Sequence, residues 1–326
     1  MTTPSLVDLV KTMLAQGGPS KPIGAGAADQ RDPHFFLIRR FLDQVDLLVI
    51  FNSRRCRYQC HFCDLPAKST RTEISAEDLE EQFARVLAKT KHGLSVVSRL
   101  TLSNEGSVFD DPTFPSPALR EICRAAAQLP TLGVVSLETR LEFVTKNAIQ
   151  EIKDVVGNKR IDILTGFETL DQQIRDEVLF KRESLSVFLS GLDLLGEQGL
   201  SLTSYVLFKP DYTMSDEEAI DEARASIEFL HRQTSGRDIP LTLRINPMYA
   251  ARRTAWSDNA LSCSFYRPPR LTDVLSVAKE ARSSGIPTYV GLSTEGLADE
   301  GRTYRAREDF TRDLLKEVIH FNEVRS

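Results

Sequence analysis

Short apolar runs alternate along the chain with longer segments whose apolar residues recur every three or four positions. The runs are typical of buried strands in a parallel sheet. The intervening segments predict amphipathic helices, as where Leu79, Phe83, Val86 and Leu87 share one helical face. This alternation predicts an α/β fold with helices on the outer face of a parallel sheet. The predicted strands cover residues 46–51, 99–102, 134–137, 161–164, 203–208, 241–245 and 288–291.

Helix boundaries carry their own signals. Ser75 and Ser215 each precede acidic residues in the pattern of a capping box, and Pro117 takes the first position of another helix. We therefore predict a partial TIM-like (β/α)6–7 barrel over residues 41–295. A short N-terminal extension (1–40), with a helix near residues 6–14, would precede the barrel, and a C-terminal helix (296–326) would follow it.

Polar residues gather just after the predicted strands. Asn104-Glu105-Gly106, Glu138-Thr139-Arg140 and Glu168 each follow a strand, and Lys209-Pro210 and Asn246-Pro247 follow two later ones. In TIM-like folds the catalytic groups sit at the C-terminal ends of the strands. The sequence therefore predicts an active site built from these segments.

Composition limits the kind of protein. The 326 residues are 41% hydrophobic and 27% charged, which is ordinary for a globular protein, and no apolar run is long enough to cross a membrane. The N-terminus lacks the features of a signal peptide, so we expect a cytoplasmic protein without a membrane partner. The net charge of −5 argues mildly against a nucleic-acid partner, although Arg54, Arg55 and Arg57 offer a local basic patch.

Three of the five cysteines, Cys56, Cys60 and Cys63, fall within eight residues directly after the first predicted strand. Thiolates suit zinc or iron–sulfur clusters. Three cysteines would leave one iron of a four-iron cluster open to a ligand. The alternatives are a zinc site with His61 as fourth ligand, or thiols without a metal.

The remaining cysteines are isolated in the sequence. Cys123 lies on the apolar face of a predicted helix and reads as a core thiol. Cys263 lies in a late loop near Trp256, and its role is left open between an auxiliary one and none. Trp256 itself could stack on a ring or pack in the interior.

The spacing Cys-x3-Cys-x-aromatic-Cys after a first barrel strand resembles the radical S-adenosylmethionine (SAM) superfamily. The resemblance implies a 4Fe–4S cluster on Cys56, Cys60 and Cys63, with SAM chelated to the open iron and Phe62 covering the adenine. The triplet from Glu138 to Arg140 and the segment around Glu168 are similar to the branch that contains the elongator catalytic subunit and the archaeosine-forming lyase. That similarity extends over about residues 47–271.

The same resemblance implies roles for the polar strand ends. Asn104 and Glu105 would lie at the SAM methionine, Glu138 at the ribose, and Arg140 at the SAM carboxylate through a fork-like pair. Glu168 and Lys181 would face the substrate as catalytic residues. In the alternative interpretation, Lys181 is a solvated cation at a helix end.

The reaction implied by the resemblance begins when the reduced cluster cleaves SAM to methionine and a 5′-deoxyadenosyl radical. The radical would abstract hydrogen from a small polar metabolite, the substrate class that the acidic charge favours. A tRNA base is the alternative substrate, and a metal-binding protein without catalysis is the alternative class. An electron donor such as flavodoxin or ferredoxin is an expected partner.

Overall fold

The computed structural model describes residues 29–67, 69–104, 106–293 and 298–324, and their strands form one eight-stranded sheet in sequence order. The strands are β1 (Phe35–Phe41), β2 (Gln44–Ile50), β3 (Arg99–Ser103), β4 (Val134–Glu138), β5 (Arg160–Glu168), β6 (Ser201–Phe208), β7 (Leu241–Pro247) and β8 (Thr288–Val290). The α-helices are α1 (Ala76–Thr90), α2 (Ser116–Ala126), α3 (Lys146–Val156), α4 (Leu185–Glu197), α5 (Asp216–Ser235), α6 (Ala255–Ser262), α7 (Leu271–Ser283) and α8 (Arg312–Glu323).

The first two strands form a hairpin that the sequence analysis did not predict. β1 pairs antiparallel with β2, from Phe35 opposite Ile50 to Phe41 opposite Gln44. The ladders β2–β3, β3–β4, β6–β7 and β7–β8 are parallel. The seven predicted strands are therefore confirmed as β2 to β8, and the predicted partial TIM-like α/β fold is confirmed with one added antiparallel strand.

The chain divides into two compact units. The first comprises residues up to Arg57 together with Leu65–Ile163, and the second comprises Tyr58–Asp64 together with the chain from Leu164 onward. The predicted limits of the barrel and its extensions stay a prediction. The helix predicted near residues 6–14 lies outside the described residues.

Buried charges in the first unit lie on the strands themselves. Arg99 donates to Asp162 at 2.6 Å and to Ser136 at 2.7 Å, and both charged side chains are about 5% exposed. Asp46, which is fully buried, accepts from Arg39 at 2.9 Å and from Thr101 at 2.8 Å. Burying a charge is costly unless it is paired, and these charges are all paired.

In the second unit, α5 begins with the predicted capping box. The Ser215 hydroxyl accepts from the Glu218 amide at 3.1 Å, and the Ser215 amide donates to the Glu218 carboxylate at 2.8 Å. The next residue, Asp216, accepts from Lys209 and Arg307, each at 2.8 Å. Burial acts to raise the pKa of Asp216, but the hydrogen bonds from Arg307 and Lys209 outweigh burial and hold this pKa below its usual value.

Replacing Ser215 by alanine is expected to lower the free energy of unfolding by about 1 kcal/mol, because the first turn of α5 loses an N-cap acceptor. Urea denaturation would measure the change. Ser262→Ala is the control, because Ser262 is the last residue of a different helix, α6. Its hydroxyl donates to the Asn259 carbonyl at 2.8 Å and does not cap a helix N-terminus. Equal losses in the two variants would contradict a specific capping effect.

Two regions differ from the sequence-based expectation. The stretch expected to be a loop contains α6, and Trp256 within it is fully buried and donates to the Pro210 carbonyl at 2.8 Å. Trp256 therefore packs in the interior. In the predicted C-terminal segment (296–326) the α-helix begins only at Arg312, after two short 3-10 turns. Among the described residues, no helix combines the length and the apolar character needed to span a membrane.

Candidate active site

The backbone that leads to Cys56 is held firmly within the first unit. Phe51 continues the β2–β3 ladder by donating its amide to the Ser103 carbonyl at 2.8 Å. The Gln82 side chain bridges both backbone polar groups of Asn52, each at 2.9 Å. The Arg55 amide then donates to Thr70 at 2.8 Å. Cys56 thus follows a strand end whose position is fixed by three separate partners.

Gly106 lies directly beside Cys56. A Cβ atom added at residue 106 would lie 3.4 Å from Cys56 Cα and Cβ and 2.8 Å from Thr113 Cγ2. The segment after β3 approaches the cysteine this closely because glycine has no side chain. Asn104, which is buried, accepts from the Gly106 amide at 3.1 Å and shapes this turn. Glu105 lies outside the described residues, and its predicted SAM contact stays a prediction.

Arg57, next to the thiol, already has an acidic partner. Its guanidinium donates to both carboxylate oxygens of Asp110, and Asp110 also accepts from the Thr113 hydroxyl at 2.6 Å. The guanidinium carbon lies 5.2 Å from the centroid of the Phe143 ring. The positive charge of Arg57 is therefore largely balanced within the first unit.

The segment after β4 is tied to the segment after β3. The Val108 amide donates to the Glu138 carbonyl at 3.0 Å, and the Arg140 amide donates to the Ser107 hydroxyl at 3.1 Å. The Arg140 guanidinium pairs with both oxygens of Glu142, each at 3.2 Å. The fork that the sequence assigned to the SAM carboxylate thus contacts a carboxylate of the protein here.

The second half of the cysteine loop is held within the second unit. The Cys63 amide donates to the Cys60 carbonyl at 3.2 Å, which makes a tight turn. His61 donates its amide to Leu179 at 2.8 Å and stacks its ring on Phe180 at 4.5 Å between centroids. Phe62 packs against an apolar cluster, which includes Ile174, Leu179, Leu207, Met248 and Trp256.

Lys181 is 4% exposed, so the interpretation as a solvated helix-end cation is wrong. Its ammonium donates to the Gly166 carbonyl and to Glu168 at 3.2 Å, and it lies 3.6 Å from Glu183. Glu168 adopts a left-handed backbone conformation with φ of 71°. A Cβ at residue 166 would lie 1.9 Å from a Glu168 carboxylate oxygen, so Gly166 is what allows the pair to form over the strand.

A second buried cation supports this pair. Arg175 is fully buried and donates to the Phe167 carbonyl at 2.7 Å and to the Glu183 carbonyl at 3.0 Å. Its guanidinium also lies 3.5 Å from the Glu183 carboxylate. Lys181, Glu168, Glu183 and Arg175 therefore form one buried network at the end of β5.

Sequence reasoning missed Arg244 in β7. Its guanidinium carbon lies 4.9 Å from the ring centroid of Tyr205 in β6 and 6.0 Å from that of Tyr289 in β8. The sequence contained a signal for Arg244, because β7 alternates apolar residues with Thr242, Arg244 and Asn246. This alternation places the three polar side chains on one face of the strand.

The donor set fits an iron–sulfur cluster. All three thiols of the loop are half-buried and are soft ligands, and the absence of a side chain at Gly106 lets the segment after β3 approach Cys56 closely. Over residues 29–67, 69–104, 106–293 and 298–324, no three His, Cys, Asp or Glu side chains are gathered as a ready-made metal site. The fit therefore rests on the chemistry of the donors.

A three-thiol loop that follows the first parallel strand of a partial TIM-like α/β sheet has the donor type and the placement expected of an iron–sulfur enzyme. The model of the radical SAM superfamily matches residues 51–223, just over half of the chain. The chain belongs to the radical SAM superfamily. Its cofactors are a 4Fe–4S cluster and SAM.

Two curated relatives are similar over most of their length. An uncharacterized protein of Methanocaldococcus jannaschii is 22% identical over 92% of this chain and 80% of its own length. The archaeosine synthase subunit beta of Thermococcus kodakarensis is 22% identical over 85% of this chain and 84% of its own.

Among solved structures, Streptococcus suis SuiB bound to SAM aligns with a TM-score of 0.53 at 14% identity. The alignment covers 79% of this chain but only 52% of SuiB, so this chain spans about half the length of that protein. The likeness supports the fold alone.

Proposed function

We propose that this radical SAM enzyme abstracts hydrogen from a modified base carried on tRNA. The observation that carries the proposal is the similarity to archaeosine synthase subunit beta, which spans most of both chains. The alignment includes the cysteine loop and the strand ends on which the proposed site residues lie. The tRNA base, which was the alternative in the sequence analysis, is therefore the first candidate here.

We propose that Cys56, Cys60 and Cys63 hold the cluster, with Phe62 against the adenine of SAM. Asn104 and Glu105 would lie at the SAM methionine, and Glu138 at the ribose. When bound, the reduced cluster and SAM supply a 5′-deoxyadenosyl radical. An electron donor such as flavodoxin or ferredoxin would provide the reducing electron.

Arg140 would bind the SAM carboxylate by exchanging Glu142 for it. Both are carboxylates that match the guanidinium fork, so the exchange conserves the number of charge-assisted hydrogen bonds. Lys181 and Glu168 would act on the substrate as a proton-carrying pair. The Lys181 ammonium lies 3.2 Å from the Glu168 carboxylate, and the two side chains are only 5% and 7% exposed.

A small polar metabolite is the second candidate substrate. The net charge of −5 favours this candidate, because proteins that bind nucleic acids through their phosphates usually present a basic surface. The two candidates can be separated, because each predicts that a different substrate pool raises the yield of 5′-deoxyadenosine.

The test is an anaerobic assay of 5′-deoxyadenosine with reconstituted protein, SAM and a strong reductant. We expect total tRNA to raise the yield, and added salt to lower this stimulation steeply, because phosphate contacts release counterions on binding. A metabolite extract freed of RNA is the parallel arm. If the extract raises the yield while tRNA does not, the metabolite is the substrate and the tRNA proposal fails.

A further inference from the structure

An ion pair lies directly beside the first cysteine of the loop. Arg57 follows Cys56 in the chain, so their Cα atoms are about 3.8 Å apart. The Arg57 guanidinium donates to both carboxylate oxygens of Asp110, one of them at 3.1 Å. A bidentate contact of this kind is strong and specific in its geometry. The pair therefore places one positive and one negative charge at a defined position next to Cys56.

The carboxylate is the buried partner of the pair. The Asp110 side chain is 4% exposed, whereas that of Arg57 is 50% exposed. The Asp110 carboxylate also accepts from the Thr113 hydroxyl at 2.6 Å, and the Asp110 carbonyl accepts from the Thr113 amide at 2.7 Å. Water and salt screen a buried charge less than an exposed one. Asp110 is therefore a fixed negative charge, held by Thr113 as well as by Arg57.

A second contact brings the turn from Asp110 to Thr113 close to Cys56. A Cβ atom at Gly106 would lie 2.8 Å from Thr113 Cγ2 and 3.4 Å from Cys56 Cβ, so Thr113 and Cys56 flank the same glycine. The Asp110 carboxylate is thus linked to the neighbourhood of Cys56 by two routes, one through Arg57 and one through Thr113. Both charges of the pair act on the environment of the Cys56 sulfur.

We propose that the Arg57–Asp110 pair sets the reduction potential of the cluster that the cysteine loop holds. Reduction adds one electron from an external donor and makes or breaks no bond, so the charge at the cysteines becomes one unit more negative. A neighbouring cation favours the reduced form, and a neighbouring anion favours the oxidised form. Asp110 offsets the Arg57 cation, so the potential lies between the values that either charge alone would give. The proposal rests on the proposed function, since it takes the three cysteines of the loop as the cluster ligands.

Two single variants test the sign of each charge. The experiment is a dithionite titration of the full-length, cluster-loaded protein with redox mediators and without SAM, followed by electron paramagnetic resonance of the reduced cluster. At a fixed potential, Asp110→Asn should raise the ratio of reduced to oxidised cluster about threefold or more, because the guanidinium loses its counter-charge. Arg57→Gln should lower this ratio by a similar factor, because the buried carboxylate is left alone. A threefold change corresponds to about 28 mV, since tenfold is about 59 mV for one electron.

Three further variants separate charge from structure. The double variant Arg57→Gln/Asp110→Asn removes both charges and should bring the ratio back to within about twofold of the wild type. Arg57→Lys keeps a cation beside Asp110 and should do the same, although it loses the guanidinium fork. Glu151→Gln is the control for loss of a negative charge, because Glu151 forms an exposed pair with Arg120 at 3.6 Å. It should leave the ratio unchanged, since solvent screens exposed charges.

Opposite shifts in the two single variants that cancel in the double variant support the proposal. Shifts in the same direction, no shift in either, or loss of the cluster from both overturn it, because the pair would then act only on the structure of the loop. If Asp110→Asn alone fails to hold a cluster, the comparison of Arg57→Gln with Arg57→Lys decides, since only a charge effect separates them. The titration uses no substrate, and the iron content of Cys60→Ala tests the ligands separately, so a failure here is distinguishable from a failure of the proposed function.

Discussion

Cys60→Ala should leave the protein without its iron–sulfur cluster and abolish 5′-deoxyadenosine formation. Cys60 is the middle thiol of the loop, and its carbonyl accepts the Cys63 amide at 3.2 Å in a turn that does not need the sulfur. The variant should therefore keep the local backbone while the cluster loses one of three protein ligands. Iron and acid-labile sulfide analysis after anaerobic reconstitution measures the loss, and far-UV circular dichroism measures the fold.

Two further variants make the result specific. Cys263→Ala removes a half-buried thiol that caps α6 through its backbone alone, and it should keep full iron content. His61→Ala tests the zinc alternative, in which the imidazole is the fourth ligand. We expect His61→Ala to keep the iron, since the imidazole stacks on Phe180 at an interplanar angle of 10°. Full iron in Cys60→Ala, or zinc in place of iron in the wild type, would refute the ligand assignment.

The strands were predictable because their signal is local. Buried parallel strands read as continuous apolar runs, and β3, β4 and β8 emerged within one residue of their predicted limits. The pairing of β1 was not predictable in this way. The β1 segment carries Arg39 and Arg40 between apolar residues. It becomes a strand by pairing with β2, the second strand of the hairpin. Only the pairing explains why Arg39 can lie there, since it bonds Asp46 across the ladder.

The cysteine loop was predictable because its spacing is specific, whereas partners across the sheet were not. Arg175 lies in a stretch, about residues 171–180, whose pattern is that of an ordinary helix, and Glu183 lies just after this stretch. The structure instead forms a five-residue π-helix, Ile174–Val178, and folds Arg175 inward. Likewise Arg99 and Asp162 lie in predicted apolar strands, and they are tolerated there because each neutralises the other. Such pairings depend on residues distant in sequence, which no local pattern contains.

Lys181→Met should lower the free energy of unfolding by about 3–5 kcal/mol, the usual cost of leaving one partner of a buried ion pair alone. The variant leaves the Glu168 carboxylate, 7% exposed, without its ammonium partner and removes a donor from the Gly166 carbonyl. Chemical denaturation measures the loss. Lys316→Met is the matched control, because the Lys316–Asp313 pair is exposed and such pairs contribute little.

Combining Lys181→Met with Glu168→Gln separates a structural role of the pair from a catalytic one. Without the charge on either side, the double variant should regain much of the lost stability, because neutral groups of similar size replace a buried ion pair at little cost. If Lys181 and Glu168 carry a proton for the substrate, substrate-stimulated 5′-deoxyadenosine formation per folded molecule should stay at least about tenfold below the wild type. This threshold is conservative, because general acid–base catalysis typically contributes about a hundredfold or more. Recovery of turnover together with stability would show that the pair only positions the end of β5, and the proposed catalytic role would then be wrong.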